Sequence, residues 1–161
     1  GFDSYIVAME FSNIESEHKM VPIYAPSMGR KIKNEDQMEN INHLPYMNWL
    51  DWMKSLSRFK YAIHLMPTHA AGTFALNCAY LGIPCIGYRG LDTQEKLHLH
   101  CSVNYGDLNT AKEAAQRLVR KPKIYEQQSE WCKTKYNEIF SEEVFKETMF
   151  NIIERVLNES N

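Results

Sequence analysis

The sequence predicts an α/β domain built on a mostly parallel sheet with helices on both of its faces. Two near-continuous apolar runs, Tyr61–Met66 and Cys85–Tyr88, have the length and composition of buried strands, and we expect them to be adjacent central strands of the sheet. A small-residue loop after Pro67 and a helical segment, Phe74–Leu81, connect these runs, and Gly82–Pro84 ends the helical segment. Strand, loop, helix and strand together form one right-handed βαβ unit, which is the building block of a parallel sheet.

The segments before this unit continue the alternation of strands and helices. Apolar spacing and turn residues predict a helix, two short strands and a second helix, in that order: Phe2–Phe11, Met20–Ala25, Ile41–Met47 and Trp49–Phe59. Asp3 or Ser4 is the expected N-cap of the first helix, and Asn48 that of the second. We expect the side chains of Trp49 and Trp52 to pack in the core or at a domain interface.

Three further helices are predicted towards the C-terminus. Arg89–Leu97 is expected to be a polar loop, and Cys101–Tyr105 a short strand. The helices that follow are Thr110–Val119, capped by Asp107 or Asn109, and a C-terminal helical pair, Ile124–Ile139 and Glu142–Leu157. The last helix carries an apolar stripe, part of which we expect to be exposed: Val144, Met149, Ile152, Ile153 and Val156.

Length and composition indicate a single domain. The chain has 161 residues, is 44% hydrophobic and has a net charge of −2, which argues against general affinity for nucleic acids or membrane surfaces. No apolar stretch is long enough to span a bilayer. The four cysteines show neither paired nor metal-type spacing, and the apolar surroundings of Cys78 and Cys85 indicate buried, reduced thiols in a cytoplasmic protein. Because residue 1 is Gly, the chain is expected to be a fragment of a longer protein.

The loop between the first strand of the βαβ unit and its helix is the expected binding site. Backbone N–H groups at a helix N-terminus lack intrahelical partners, and together with the helix dipole they favour an anion. Gly72 permits close approach of the backbone to a ligand, and Thr73 follows it at the start of the helix. The alternative is that Thr73 only caps the helix. We expect no metal site at His98, His100 and Cys101, because no fourth ligand has suitable spacing.

Four segments, spread over nearly the whole chain, carry a family resemblance. They are a Gly-led first helix, a strand with its turn, a Gly-x-Pro-x-Ile segment and a Phe-Ser helix start: Gly1–Met9, His43–Met47, Leu81–Ile86 and Phe140–Val144. Together they resemble the C-terminal, nucleotide-sugar-binding domain of a GT-B glycosyltransferase of the large group 1 family. The resemblance implies a Rossmann-like fold that forms one half of a GT-B enzyme. The basic residues near the family's first strand and the N-terminal acceptor domain would then lie upstream of residue 1.

The same resemblance implies a set of substrate-binding residues. The family's signature is a Glu, seven residues and a second Glu, and the corresponding positions here are His69 and Asn77. In the family the first Glu lies near the donor sugar and the second binds the ribose hydroxyls. Asn77 still offers an acceptor and a donor to a diol, but without charge. The implied set comprises the helix-start residues and the turn where the family places the nucleobase: His69, Ala71, Gly72, Thr73, Asn77, Tyr46 and Met47.

The implied function is donor binding in a glycosyltransferase of glycan biosynthesis, with a nucleotide-diphosphate sugar as substrate and with neither cofactor nor metal. The chain alone is expected to transfer no sugar, because the acceptor wall would belong to the missing N-terminal domain. Two alternatives stay open. Leu81–Tyr88, followed by Arg89 and Thr93–Glu95, also resembles a run in non-hydrolysing UDP-N-acetylglucosamine 2-epimerases. The replaced signature positions, in turn, are compatible with a degenerate, non-catalytic GT-B domain. For His69 and Asn77 the simpler interpretations are a surface loop histidine and a packing or backbone-bonding asparagine.

Overall fold

The computed structural model describes residues 2–15, 22–26, 38, 40–66 and 72–159. Each helix and strand named above is found in these ranges with its ends displaced by at most four residues, and one further helix is present that the sequence did not predict. The elements are α1 (Phe2–Glu15), β1 (Ile23–Pro26), β2 (Ile41–Leu44), α2 (Trp49–Leu56), β3 (Ala62–His64), α3 (Thr73–Tyr80), β4 (Cys85–Tyr88), α4 (Asp92–Leu97), β5 (Ser102–Val103), α5 (Leu108–Arg120), α6 (Pro122–Ile139) and α7 (Glu142–Glu159). A 3₁₀ turn, Leu99–Cys101, leads into β5.

The described strands form two parallel sheets, one of two strands and one of three. In the first sheet β1 pairs with β2, with Ile23 opposite Ile41. In the second sheet the order is β3-β4-β5, with Ala62 opposite Cys85. The predicted parallel sheet and the adjacency of β3 and β4 are therefore confirmed.

One part of the strand prediction is wrong. We expected both strands of the βαβ unit to be central, but β3 lies at the edge of the described three-stranded sheet and β4 lies at its centre. The residue that follows β3 is joined to α1, because the backbone N–H of Leu65 donates to Ser4 Oγ at 2.9 Å. The side chains of Ala62 and Leu65 are buried, which explains why this segment has the apolar composition of an interior strand.

Helices cover both faces of the three-stranded sheet. Ile86 and Tyr88 of β4 point towards α1 and α5, where Val7, Phe11 and Leu118 complete one hydrophobic core. Cys85, next to Ile86, belongs to a second core formed with α2 and α3 on the opposite face. Successive residues of a strand point to opposite faces, so the continuous apolar run of β4 serves two cores at once.

Side-chain caps start several helices. Asn48 Oδ1 accepts from the N–H of Asp51 at 3.0 Å, as predicted for α2. Of the two cap candidates for α5, Asp107 is the one used, and its Oδ1 accepts from the N–H of Thr110 at 3.0 Å. The predicted caps of α1 are wrong, because Asp3 and Ser4 lie inside that helix and hydrogen-bond to residues near the ends of strands β3 and β4 instead.

The segment predicted as the polar loop Arg89–Leu97 contains a helix, α4. Gln94 in this helix is only 1% exposed. Its Nε2 donates to the carbonyl oxygen of Cys85 at 3.0 Å and to Ser102 Oγ at 3.3 Å. A polar side chain is tolerated in the interior when it is hydrogen-bonded, so polar composition here does not mean exposure.

The last helix packs differently from the others. None of the α7 residues is buried, and its large apolar side chains from Phe145 to Leu157 are exposed. The predicted apolar stripe is thus present, and all of it except the half-buried Val144 is exposed. No helix in the described ranges combines the length and the apolar character that crossing a membrane requires.

Candidate functional site

The candidate site lies at the carboxyl ends of β3 and β4, where ligands of open parallel sheets commonly bind. The first turn of α1 lies at this edge. Ser4 Oγ accepts from the N–H of Leu65 just after β3, and Asp3 Oδ2 accepts from the hydroxyl of Tyr88 at the end of β4, at 2.6 Å. The loop after β3 leads into α3, and the loop after β4 leads into α4. Three helix starts therefore meet at one edge of the sheet.

The start of α3 lacks the features that usually satisfy a helix N-terminus. Gly72 is its N-cap, in the left-handed conformation with φ 67° and ψ 21°, and has no side chain to accept from the first turn. The first turn contains no acidic residue either. By contrast, Asn48 and Asp107 supply side-chain oxygens at the starts of α2 and α5. In the part of the chain that the structure describes, no side chain caps the N–H groups at the start of α3, and an anion satisfies such groups well.

Gly72 is required at this position for two reasons. A positive φ of this size disfavours residues with a Cβ. In addition, a Cβ on Gly72 would overlap Thr93 Oγ1 and would lie 3.2 Å from Thr93 Cβ. Gly72 and Thr93 are both buried, so the starts of α3 and α4 are in close contact here.

The structure describes some of the predicted α3 site residues and not others. Gly72 and Thr73 lie at the start of α3, as predicted, and Thr73 is exposed. Asn77 lies four residues after Thr73 on the same helix, is half-buried and lies on the same face. His69 and Ala71 lie outside the described residues.

The predicted nucleobase turn, Tyr46 and Met47, lies between β2 and α2. Tyr46 is 80% exposed, and Met47 is half-buried. The ring of Trp52 in α2 lies 6.1 Å from the ring of Phe74 in α3, so the first turns of the two helices are close to each other. Trp52 therefore packs as expected. Trp49 does not pack in the core, since 63% of it is exposed.

The sequence prediction missed His64 at this edge. His64 ends β3, is half-buried, and its ring lies 5.4 Å from that of Phe74 at the start of α3. Burial lowers the pKa of His64 below its usual value and so favours the neutral imidazole. A polar residue at the carboxyl end of an otherwise apolar strand was the signal available in the sequence.

His98 has a structural function beneath the site. It is buried, its Nδ1 accepts from the N–H of Cys85 at 3.3 Å, and its Nε2 lies 2.9 Å from the carbonyl oxygen of Ala75. Because a carbonyl can only accept, Nε2 carries the proton and the ring is the neutral tautomer. Burial lowers the pKa of His98 to about 4. Both ring nitrogens are thus engaged by the backbone, and within the described ranges no group of three or more His, Cys, Asp or Glu is arranged to hold a metal ion.

The run that resembles the epimerases is also engaged in folding. Gln94 bonds to β4 and β5 as described above, and Glu95 Oε1 accepts from the N–H of Gly90 at 2.8 Å.

Cys78 and Cys85 are buried free thiols, as predicted, and so are Cys101 and Cys132.

Taken together, the described part of this edge presents uncapped amide groups, a buried hydroxyl on Thr93 and the half-buried His64, with the carboxylates of Asp3, Asp92 and Glu95 in the first turns of the two neighbouring helices. Neutral donors at a helix start suit a ligand that carries negative charge and several acceptor oxygens. No protein-family model and no curated protein sequence matches this chain.

Proposed function

We propose that this chain binds the diphosphate of a nucleotide-sugar donor at the start of α3, as the donor-binding half of a GT-B glycosyltransferase. The whole enzyme would transfer the sugar to a glycan or another acceptor. The observation that carries the proposal is the uncapped start of α3 at Gly72, placed at the carboxyl ends of β3 and β4. Phosphate groups bind at such helix starts because the N–H groups point at the ligand and the helix dipole favours negative charge.

The electrostatics at this edge support binding of modest strength. The dipole contributes up to about 1 kcal/mol, and the first turn of α3 adds no acidic residue. The first turns of α1 and α4 do carry acidic residues, Asp3, Asp92 and Glu95, whose charge opposes an anion. Burial lowers the pKa of His64, which disfavours a positive charge on its imidazole. We therefore expect the dissociation constant of a nucleoside diphosphate to be ~0.1–1 mM, equivalent to about 4–5.5 kcal/mol.

The remaining parts of the donor are assigned from the resemblance and from the packing of α2 against α3. Asn77, on the same helix face as Thr73, would hydrogen-bond the ribose hydroxyls. The turn at Tyr46 and Met47, next to the start of α2, would contact the base, and His69 would face the sugar. Catalysis in the whole enzyme would then consist mainly of positioning the donor and stabilising the leaving diphosphate.

A titration followed by amide chemical shifts tests the proposal. On addition of UDP, GDP or ADP, the amide signals of Gly72 and Thr73 should shift first, with midpoints in the range given above. The amide of Thr110 is the matched control, because it already donates to Asp107 at the start of α5 and should not shift. If no diphosphate shifts the signals of Gly72 and Thr73 at millimolar concentration, the donor-binding function is wrong.

That negative outcome would favour the second candidate, a degenerate GT-B domain that binds a protein partner. The observation that favours this candidate is the presence of His69 and Asn77 at positions where the resembling family has carboxylates.

A further inference from the structure

Thr93 carries a buried hydroxyl that lacks a protein partner among the described residues. Only 9% of Thr93 is exposed, and its Oγ1 makes no hydrogen bond in the described part of the chain. A buried hydroxyl without a partner costs about 1–3 kcal/mol, so natural proteins seldom leave one unsatisfied. The group therefore calls for a partner that the described residues do not supply.

The location of this hydroxyl indicates where that partner would bind. Thr93 Oγ1 occupies the space that a Cβ of Gly72 would need, so it lies directly against the N-cap of α3. A ligand atom that accepts from the first amide groups of α3 would thus lie within reach of the Thr93 hydroxyl.

The position at a helix start distinguishes Thr93 Oγ1 from the other buried, unpaired oxygen of α4, which belongs to Gln94. Gln94 Oε1 is also buried and without a partner, but it lies against Gly87 in the middle of β4. The Gln94 side chain is fixed by its Nε2 hydrogen bonds to Cys85 and Ser102. Of these two oxygens, only that of Thr93 lies at a helix start.

We propose that Thr93 is a phosphate-binding residue whose hydroxyl donates a hydrogen bond to the anion at the start of α3. This inference rests on the proposed function and extends it from backbone donors to a specific side chain. A hydroxyl donates without adding charge, so Thr93 supplements the amide groups of α3 and does not replace a cation. This role of the Thr93 hydroxyl also explains why Gly72 is needed, because any side chain at position 72 would displace the hydroxyl.

The test compares Thr93→Val with Thr93→Ser in the full chain. Val has nearly the same shape as Thr but no hydroxyl, whereas Ser keeps the hydroxyl. Titration calorimetry with inorganic pyrophosphate and with UDP should show about tenfold weaker binding to Thr93→Val, equivalent to about 1.4 kcal/mol. Thr93→Ser should bind both ligands within about twofold of the unmodified chain.

A second measurement separates ligand binding from a purely structural role. Because Thr93→Val removes an unpaired buried hydroxyl, it should raise the Tm of the unliganded protein by about 2–4 °C. A lower Tm for Thr93→Val would show that the hydroxyl bonds within the protein, and would overturn the proposal.

The ligand titrations add two distinct negative outcomes. Unchanged affinity of Thr93→Val, when the unmodified chain binds pyrophosphate, would refute the role of Thr93 and leave the proposed function intact. If the unmodified chain binds neither pyrophosphate nor UDP, both the proposed function and this inference are wrong.

Discussion

Replacing Gly72 with Ala tests the close contact between the starts of α3 and α4. Two penalties arise from one added methyl group. The left-handed backbone, with φ 67°, costs about 1 kcal/mol for a residue with a Cβ. The new Cβ also overlaps Thr93 Oγ1, and overpacking of a buried site costs about 1–3 kcal/mol. We expect Gly72→Ala to lower the free energy of unfolding by about 2–4 kcal/mol.

Gly106→Ala is the matched control for this prediction. Gly106 has a similar φ of 77°, but a Cβ there would have no neighbour within 4 Å. This variant should therefore lose only the backbone contribution, about 1 kcal/mol. Urea denaturation of both variants, followed by circular dichroism, gives the free energy of unfolding that each variant loses. The difference between the two losses is the cost of the overlap with Thr93.

A double variant isolates the overlap further. In Gly72→Ala/Thr93→Ala the hydroxyl is absent, and the Cβ of residue 93 at 3.2 Å is the nearest remaining atom. Most of the overpacking penalty should then disappear. If Gly72→Ala destabilises the protein no more than Gly106→Ala does, or if Thr93→Ala relieves none of its cost, the described contact between Gly72 and Thr93 is wrong.

Three further predictions concern single side chains. His98 has a folded-state pKa of about 4, below its unfolded value, so the unfolded state binds the proton first as pH falls. Stability should decrease by about 2 kcal/mol between pH 7 and pH 5 in urea titrations, and His98→Gln should flatten this dependence. Asn77→Ala should weaken UDP binding by about 1 kcal/mol and leave pyrophosphate binding unchanged, since only UDP has a ribose; equal losses for both ligands would contradict the ribose contact. Tyr88→Phe should cost about 1.5–2 kcal/mol in thermal denaturation, because it removes the 2.6 Å hydrogen bond to the Asp3 carboxylate; an unchanged Tm would show that this bond contributes nothing.

The features that the sequence determined are local ones. The βαβ unit with β3 and β4 follows from two apolar runs separated by turn residues, and these runs do form adjacent parallel strands. The caps Asn48 and Asp107 act within three residues of their own position. The place of Gly72 at the start of α3 can be predicted from the sequence for the same reason, because a helix start depends on neighbouring residues.

Tertiary structure alone decided which distant groups meet at the candidate site. Asp3 and Ser4 have the composition of N-caps, yet their partners Tyr88 and Leu65 lie 85 and 61 residues away. Thr93 belongs to a segment whose polar composition predicts an exposed loop, but packing of α4 buries its hydroxyl against Gly72. A polar side chain can hydrogen-bond either to a neighbouring backbone group or to a buried group far along the chain. Which of the two bonds forms depends on whether the packed helices and strands bring the distant group close.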